Sequence, residues 1–470
     1  MQKMMLFGLL LAGVVCAQPS GMIRSALGVR ADGAPIECWI TKEDLDYHTP
    51  NTRVLVVGGG AGEAVRWFYE SPEAGDLRQK FAVSAALVEP GTGYPPAGEA
   101  YRSEAMYLWR WIQMHAPDLV VVRDGGAELV GALGRAGTIP AVVADDLRGA
   151  LKEVGPSAAR REIQRRLGRT PLDMARQLSA VYGHEMKEMS YIPAVVLIGR
   201  IRLGEVEDVE RIVEPQLKRP QGPAGGLPSL AGYLVFGELG RVTGKEQYQE
   251  LVRAAARLVE KTNHNDMSDA LFMGCTLLAK AGEFDGCVRY MKSMQALDLR
   301  RDGLYRHSPL DEAAWGRGNG FPALGLALSL SELPAHHPGR GEMLQAFRSH
   351  MEALARHQDP TGAWRQVIDH PESYRELTAT SMIAFAMIRG VRSGWLERAK
   401  YAPLIERAWY AIRTRVAANG DLVDVCASTG KQKSLRAYLE RPAILGPDAR
   451  GGAMALLVAT EMMQWGKERF

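Results

Sequence analysis

Several features are scarce or missing in this 470-residue chain. Cysteine occurs five times, too few for a disulfide scaffold, and the spacings Cys275/Cys287 and Cys38/Cys426 match no zinc pattern. Charge of one sign is missing: Lys and Arg total 57 against 54 Asp and Glu, a net charge of +3, so no basic field points to nucleic acid as a partner. No run of about 18 apolar residues occurs beyond the extreme N-terminus, so no internal membrane span is expected. Gly58–Gly62 is followed by no Gly-Lys-Ser/Thr, and Glu63 stands where a dinucleotide fingerprint needs its third glycine. No cofactor is expected. What is present is an ordinary globular composition, 46% hydrophobic and 24% charged, long enough for two or three domains.

The first residues read as an address. Lys3 precedes the apolar stretch Met4 to Val15, and Val15-Cys16-Ala17 before Gln18 has the small residues of a cleavage site. Residues 1–17 are therefore expected to be a cleaved signal peptide and the mature chain periplasmic or extracellular, where disulfides are permitted. Cys275 lies in an apolar helical run and is expected to be a buried thiol.

Two patterns follow. From about Asn51 to Leu147, the apolar runs Arg53–Val57, Phe81–Val88, Leu119–Val122 and Ala141–Val143 alternate with helical stretches such as Glu104–His115, which predicts a parallel or mixed sheet. From about Met174 onward, helical stretches recur every 20–25 residues between Gly, Pro and Asn breaks. They include Ser229–Leu239, Gln247–Val259, Asp269–Lys280, Ala323–Leu333, Met343–Arg356, Thr378–Ile388 and Ala453–Met463, with a long loop at 220–226. The expected organisation is a smaller α/β domain over 18–165, an Arg-rich linker near Gly155–Thr170, and a mainly α toroid of helical hairpins over 175–470.

The densest candidate site is Asp311 to Pro322. Its glycines permit close approach of a ligand to the backbone; Asn319 suits the cap of a helix starting near Phe321-Pro322; Arg317 suits a carboxylate; and Trp315 offers a flat face to a sugar ring. A plain cap with a core tryptophan accounts for the same residues. His307 is a titratable neighbour. Asp269 opens a helix, where a carboxylate also simply favours the dipole; aromatic surroundings would raise its pKa enough to hold a proton near neutral pH. The clusters Gly362–Val367, with Trp364 and Gln366, and Glu376–Ser381 read as caps and core packing or as ligand contacts.

Asp269–Met273, Gly303–His307, Trp315–Phe321, Gly362–Val367, Glu376–Thr380 and Asp448–Ala453, in that order and spacing across about Ala231 to Glu461, resemble glycoside hydrolase families 88 and 105, the unsaturated glucuronyl and rhamnogalacturonyl hydrolases. The resemblance implies an (α/α)6 toroid and a reaction on oligosaccharides that end in a 4,5-unsaturated uronic acid. A carboxylic acid protonates C4 of the enol ether, water adds at C5, and the hemiketal collapses to release the sugar, so one acid/base carboxyl serves both proton transfers. Asp269 matches the acid/base residue. His307, Trp315 and Arg317 match the sugar subsite, with Asn319, Phe321, Trp364 and Gln366 as further substrate contacts. Three positions depart from the family: no Asp stands within Leu227–Gly232, where a second one is usual, Phe321 replaces a Trp, and Arg450 replaces a His.

The α/β part faintly resembles zinc carboxypeptidase-like and deacylase domains at Gly58–Glu63, Glu89–Gly91 and Tyr94–Pro96. The His-x-x-Glu pair is absent, since Gly60 stands three before Glu63, and no metal is expected. Three readings stand side by side: a secreted hydrolase of unsaturated uronides, a non-catalytic sugar-binding toroid, and an amidase or deacylase in the N-terminal part.

Overall fold

A computed structural model describes residues 18–218, 225–262 and 266–466. The expected signal peptide, residues 1–17, and most of the expected loop, 219–224, lie outside the described residues. The chain divides into two compact units. One runs from the first described residue to Ser25 and adds Glu37–Thr92 and Pro117–Ala158; the other comprises Ala26–Ile36, Gly93–Ala116 and everything from Ala159 on. Glu104–His115, expected in the α/β domain, is therefore grouped with the helical unit.

The α/β unit is built on continuous apolar strands, as a sheet covered on both faces requires. Strands β1 (Ile23–Val29), β2 (Pro35–Ile40), β3 (Thr52–Val57), β4 (Phe81–Ala86), β5 (Leu119–Val122) and β6 (Ala141–Val143) lie in the order β1-β2-β4-β3-β5-β6. Strands β4, β3, β5 and β6 are parallel neighbours, and β2 joins β4 antiparallel through Cys38↔Ala86 and Trp39↔Ala85. Val54, Val56, Val83 and Val121 pack with Phe68 of the helix Ala61–Glu70. The hairpin β1–β2 was not anticipated from the sequence; it is poor in β-branched residues and alternates only over its inner half.

In the helical unit, six helices close a ring: Tyr191–Arg202, Leu234–Thr243, Ala270–Lys280, Gly316–Glu332, Leu377–Arg392 and Ala449–Met462, each packing on the next and the last on the first. Six further helices cover them outside: Pro171–Ser179, Val206–Val213, Glu246–Val259, Phe284–Asp298, Arg340–Ala355 and Arg398–Thr414. The inner helices are apolar nearly all round, as expected for helices buried on every face. Inner and outer helices alternate along the chain, so all inner helices point the same way. Their N-terminal ends meet at one end of the ring, where Arg317 reaches Thr378, and their C-terminal ends meet at the other, where Lys280 pairs with Glu332 and Arg389 with Glu461. No helix among the described residues is long and apolar enough to cross a membrane.

The expected helix after Asn319 begins earlier, at Gly316, with Trp315 at its cap. Three glycines in its first two turns look like a loop, but each lies where a β-carbon would collide. A Cβ at Gly316 would stand 2.5 Å from the Arg365 carbonyl oxygen, and one at Gly320 would stand 2.7 Å from Met382. The glycines allow close helix packing.

Candidate active site

Asp269 stands at the N-terminal end of the inner helix Ala270–Lys280, where its side chain makes no capping hydrogen bond. Its side chain is 14% exposed, while Oδ1 is itself buried and has no hydrogen-bond partner among the described residues. Burial pushes its pKa up to about 7, against an opposing pull from the Arg317 guanidinium. A carboxyl in this state holds a proton about half the time near neutrality, which suits a general acid that must also act as base.

His307 Nε2 stands 3.6 Å from Asp269 Oδ1 and is likewise without a hydrogen-bond partner. Its other nitrogen, Nδ1, lies 2.9 Å from the Tyr438 hydroxyl. Burial, reinforced by Arg317 and Lys431, lowers the imidazole to about 3, so the ring is neutral at any working pH. Trp315 packs beside it with ring centres 4.3 Å apart and its indole nitrogen unpartnered. Ser268 Oγ and Gln366 Oε1 complete a set of buried polar atoms whose hydrogen bonds are unmade. Buried polar groups are overwhelmingly paired in folded proteins, so this cluster is the candidate place for a polar ligand.

Most of the residues behind this cluster are engaged elsewhere. Arg317 donates from Nη1 to the Cys426 carbonyl at 2.8 Å and from Nη2 to the Ala427 carbonyl at 2.9 Å, and stacks over Trp315. The expected end-on grip of its two Nη groups on a ligand carboxylate is therefore taken up by the backbone, and Arg317 acts here as a buried positive charge and a brace for Trp315. Asn319 is neither the cap nor an open ligand contact. Its Nδ2 donates to the carbonyls of Tyr305 and Trp315, and its Oδ1 accepts the Tyr305 N–H at 2.8 Å, clamping the segment that leads to His307 to the helix start. Trp364 is a core residue whose indole donates 2.8 Å to the Leu354 carbonyl. Phe321 is wedged against Phe272 and Tyr191, at 5.6 and 5.7 Å between ring centres. Gln366 Nε2 contacts the Tyr438 carbonyl and the Cys426 thiol, each at 3.2 Å, leaving only its oxygen unpartnered.

Sequence reasoning missed several residues here. Tyr438 orients His307. Glu376, which the sequence did place in a cap cluster, caps the helix Leu377–Arg392: it accepts from the Ala379 and Cys426 N–H groups and the Thr378 hydroxyl, fixing the strand Leu422–Cys426 on which Arg317 rests. Asp424 on that strand accepts the Tyr101 hydroxyl at 2.9 Å and pairs with Arg110 at 3.3 Å, so Gly93–Ala116 buttresses the site. Asp298 is a second buried carboxyl that burial raises to about 7, with both oxygens unpartnered and Arg306 at 3.8 Å. No short motif announces Tyr438 or Asp424, because their partners His307 and Tyr101 lie more than a hundred positions away.

Residues 241–465 match the family described as Glycosyl Hydrolase Family 88. An unsaturated 3S-rhamnoglycuronyl hydrolase of Alteromonas sp. is 28% identical over 195 residues, 39% of this chain and 44% of that protein. An unsaturated rhamnogalacturonyl hydrolase of Bacillus subtilis is 33% identical over 128 residues, 27% of this chain and 35% of that protein. The chain thus spans less than half the length of these relatives. Among solved structures, a possible member of family GH105 from Salmonella enterica aligns with a TM-score of 0.55 at 19% identity, covering 63% of this chain and 93% of that one. A family 88 glycosyl hydrolase from Bacteroides vulgatus aligns at 0.53 and 18%, covering 63% and 99%. At these identities the two structures show the fold.

Proposed function

Because residues 241–465 match the family described as Glycosyl Hydrolase Family 88, we propose that the protein hydrolyses oligosaccharides ending in a 4,5-unsaturated uronic acid, with Asp269 as the proton donor. The observation that carries this reading is the Asp269 carboxyl itself: buried, raised to about 7, unpartnered at Oδ1, and facing the unpartnered His307 Nε2. In this reading the protonated Asp269 gives its proton to C4 of the enol ether. A water adds at C5, and its proton passes to the carboxylate, which is thereby reset. The hemiketal collapses and frees the remaining sugar. Trp315, expected to face a sugar ring, is buried beneath Arg317 and beside His307 and supports the site from behind, while neutral His307 and Ser268 supply hydrogen bonds without placing a fixed charge beside the acid. Arg317 stabilises the negative charge left on Asp269 once the proton has gone, since it draws the carboxyl pKa down against burial. Export from the cytoplasm belongs to this proposal; its support is the sequence of residues 1–17.

One observation favours a second reading, a sugar-binding toroid without turnover. The segment Leu227–Gly232 carries no carboxylate, and a Cβ at Gly232 would stand 2.7 Å from the Ser190 nitrogen, so no side chain fits there. Fragments of pectin or glycosaminoglycan made by a lyase separate the two. Loss of the enol-ether ultraviolet absorbance on mixing with the protein is the expected result. Binding of the fragments with undiminished absorbance would replace the hydrolase reading with the second.

A further inference from the structure

The sugar of the proposed function carries its carboxylate on C5, next to the C4 that takes the proton, and a site for it calls for a cation beside that group. Arg317 does not offer its Nη groups, which donate to the carbonyls of Cys426 and Ala427. The phase of the inner helices singles out another residue. At the C-terminal end of the ring, the interior is lined by Ile198 and Arg202, by Thr276 and Lys280, and by Leu457 and Glu461. These pairs stand seven and eleven residues after Tyr191, Asp269 and Arg450 respectively. Seven or eleven residues return an α-helix to within about 20° of the same direction. Tyr191, Asp269 and Arg450 are thus the residues that these three helices turn toward the ring axis at the N-terminal end.

The helix Ala449–Met462 lies three places from Ala270–Lys280 in either direction around the six, so Arg450 faces Asp269 across the ring. Tyr191 stands between them. Burial raises its phenol; Arg317 and Arg450 oppose the rise, and Asp269 and Asp448 add to it, so one hydroxyl lies within electrostatic reach of both sides. Phe272, less than a turn deeper than Asp269, stacks on Phe321 and meets Tyr191 edge-on at 6.2 Å, which closes the ring just inside this level. The side chains of Asp269 and Arg450 stay 14% and 16% exposed, so solvent reaches both. Arg450 is held in place without being used up. Asp448 caps the helix through Oδ1, which accepts the Arg450 and Gly451 N–H groups, and its Oδ2 accepts from Arg450 Nη2 at 3.0 Å. A guanidinium has more donors than one carboxylate oxygen can take. Arg450 Nε is buried with no hydrogen-bond partner among the described residues, as are Asp269 Oδ1 and His307 Nε2.

We propose that Arg450 binds the carboxylate of the unsaturated uronic acid and sets the preference for the acid over its neutral ester, the sugar lying between Arg450 at the C5 substituent and Asp269 at C4. The identity of the sugar rests on the hydrolase reading; the placement of the cation rests on the ring. A guanidinium is charged at every working pH and offers a planar fork that matches a carboxylate, which a lysine does not.

The test is calorimetric titration at pH 7 of the full-length Asp269→Asn protein, in which turnover is expected to be about 100-fold slower or more. The probes are the phenyl glycoside of 4,5-unsaturated glucuronic acid, which carries a single carboxylate, and its methyl ester. The acid should bind at least about tenfold tighter than the ester, as for a hydrogen bond to a charged group. Adding Arg450→Gln should weaken the acid about tenfold or more and leave the ester nearly unchanged, so that the two bind alike. Arg450→Lys keeps the charge and the Asp448 partner and should lose part of the preference; it carries the test if the glutamine variant does not fold. A preference unchanged in the folded variants would overturn the inference and pass the carboxylate to another cation, such as Lys431, which pairs with Asp266 at 2.5 Å. Equal weakening of acid and ester would make Arg450 a structural residue, and no preference for the acid while Arg450 is intact would also overturn the inference. The hydrolase reading fails separately: the wild-type protein would then leave the enol-ether absorbance undiminished, whether or not Arg450 governs binding. No binding of either probe at millimolar concentration would remove the sugar site and this inference together.

Discussion

At the N-terminal ends of the inner helices, Asp269 is buried near a guanidinium whose Nη groups are committed to backbone carbonyls. At the C-terminal ends, Glu461 is buried more deeply still, 3% exposed against 14% for the Asp269 side chain, but three guanidiniums converge on it. The outcomes are opposite. Burial wins at Asp269 and lifts it to about 7; at Glu461 burial is outweighed by hydrogen bonds from Arg389 and the charges of Arg389, Arg202 and Arg392, which hold it at about 2. The lesson is that a buried carboxyl is left proton-holding only where the fold withholds its partners. The ring does so at one end, where chemistry is proposed, and does the reverse at the other, where the helix ends must be tied together.

That contrast can be broken most directly at Glu461. Replacing it with Gln leaves three buried or half-buried cations without their shared anion, and should cost roughly 3–5 kcal/mol of stability in a denaturant titration. A change below about 1 kcal/mol would mean the cluster is solvated and the contrast empty.

At the other end, Asp269→Asn should lower turnover of unsaturated uronides by about 100-fold or more, as for other general acids. Near wild-type absorbance loss would remove Asp269 from the chemistry. The same variant should gain stability, which is the converse of Glu461→Gln. The folded-state value of Asp269 lies above its ordinary 3.8, so the folded protein binds more protons than the unfolded chain between about pH 4 and 7, and stability falls as pH rises across that window. Asp269→Asn should therefore be more stable than wild type at pH 8, by on the order of 1–3 kcal/mol, with the gap closing toward pH 4. A gap of the same size at both pH values would place its origin outside the carboxyl's titration.

Two smaller effects sharpen the picture. The ratio kcat/KM should fall with a single ionisation as pH rises through about 7, because the acid form of Asp269 is needed; a profile flat from pH 5 to 9 would contradict the assignment. Tyr438→Phe removes the hydroxyl 2.9 Å from His307 Nδ1 and should cost about 1 kcal/mol in kcat/KM, the worth of an ordinary hydrogen bond. Unchanged kinetics in that variant would leave Tyr438 as packing alone.

Much of the helical architecture was legible. Gln247–Val259, Asp269–Lys280, Met343–Arg356 and Thr378–Ile388 each fall on an observed helix, because apolar spacing and terminal breaks are local properties of the chain. Asp269 was legible as a carboxyl at a helix start. The beginning of Gly316–Glu332 was not. Glycine signals a loop when read alone, and only the neighbouring Arg365 and Met382 show that these glycines serve close packing. Asn319 was misread for the same reason: its cap-like position hides hydrogen bonds to Tyr305, fourteen residues earlier.

Composition, periodicity and the block from Asp269 to Ala453 by themselves determined that this chain builds a strand-rich part followed by paired helices, and which carboxyl opens the helix of interest. The tertiary structure alone decided what that carboxyl is. Its pKa depends on the water excluded around it and on where Arg317 points, and both are set by Cys426, Ala427 and Tyr438, more than a hundred residues away. Desolvation and charge act through distances of a few ångströms in space, and a linear sequence does not contain those distances until the ring has closed.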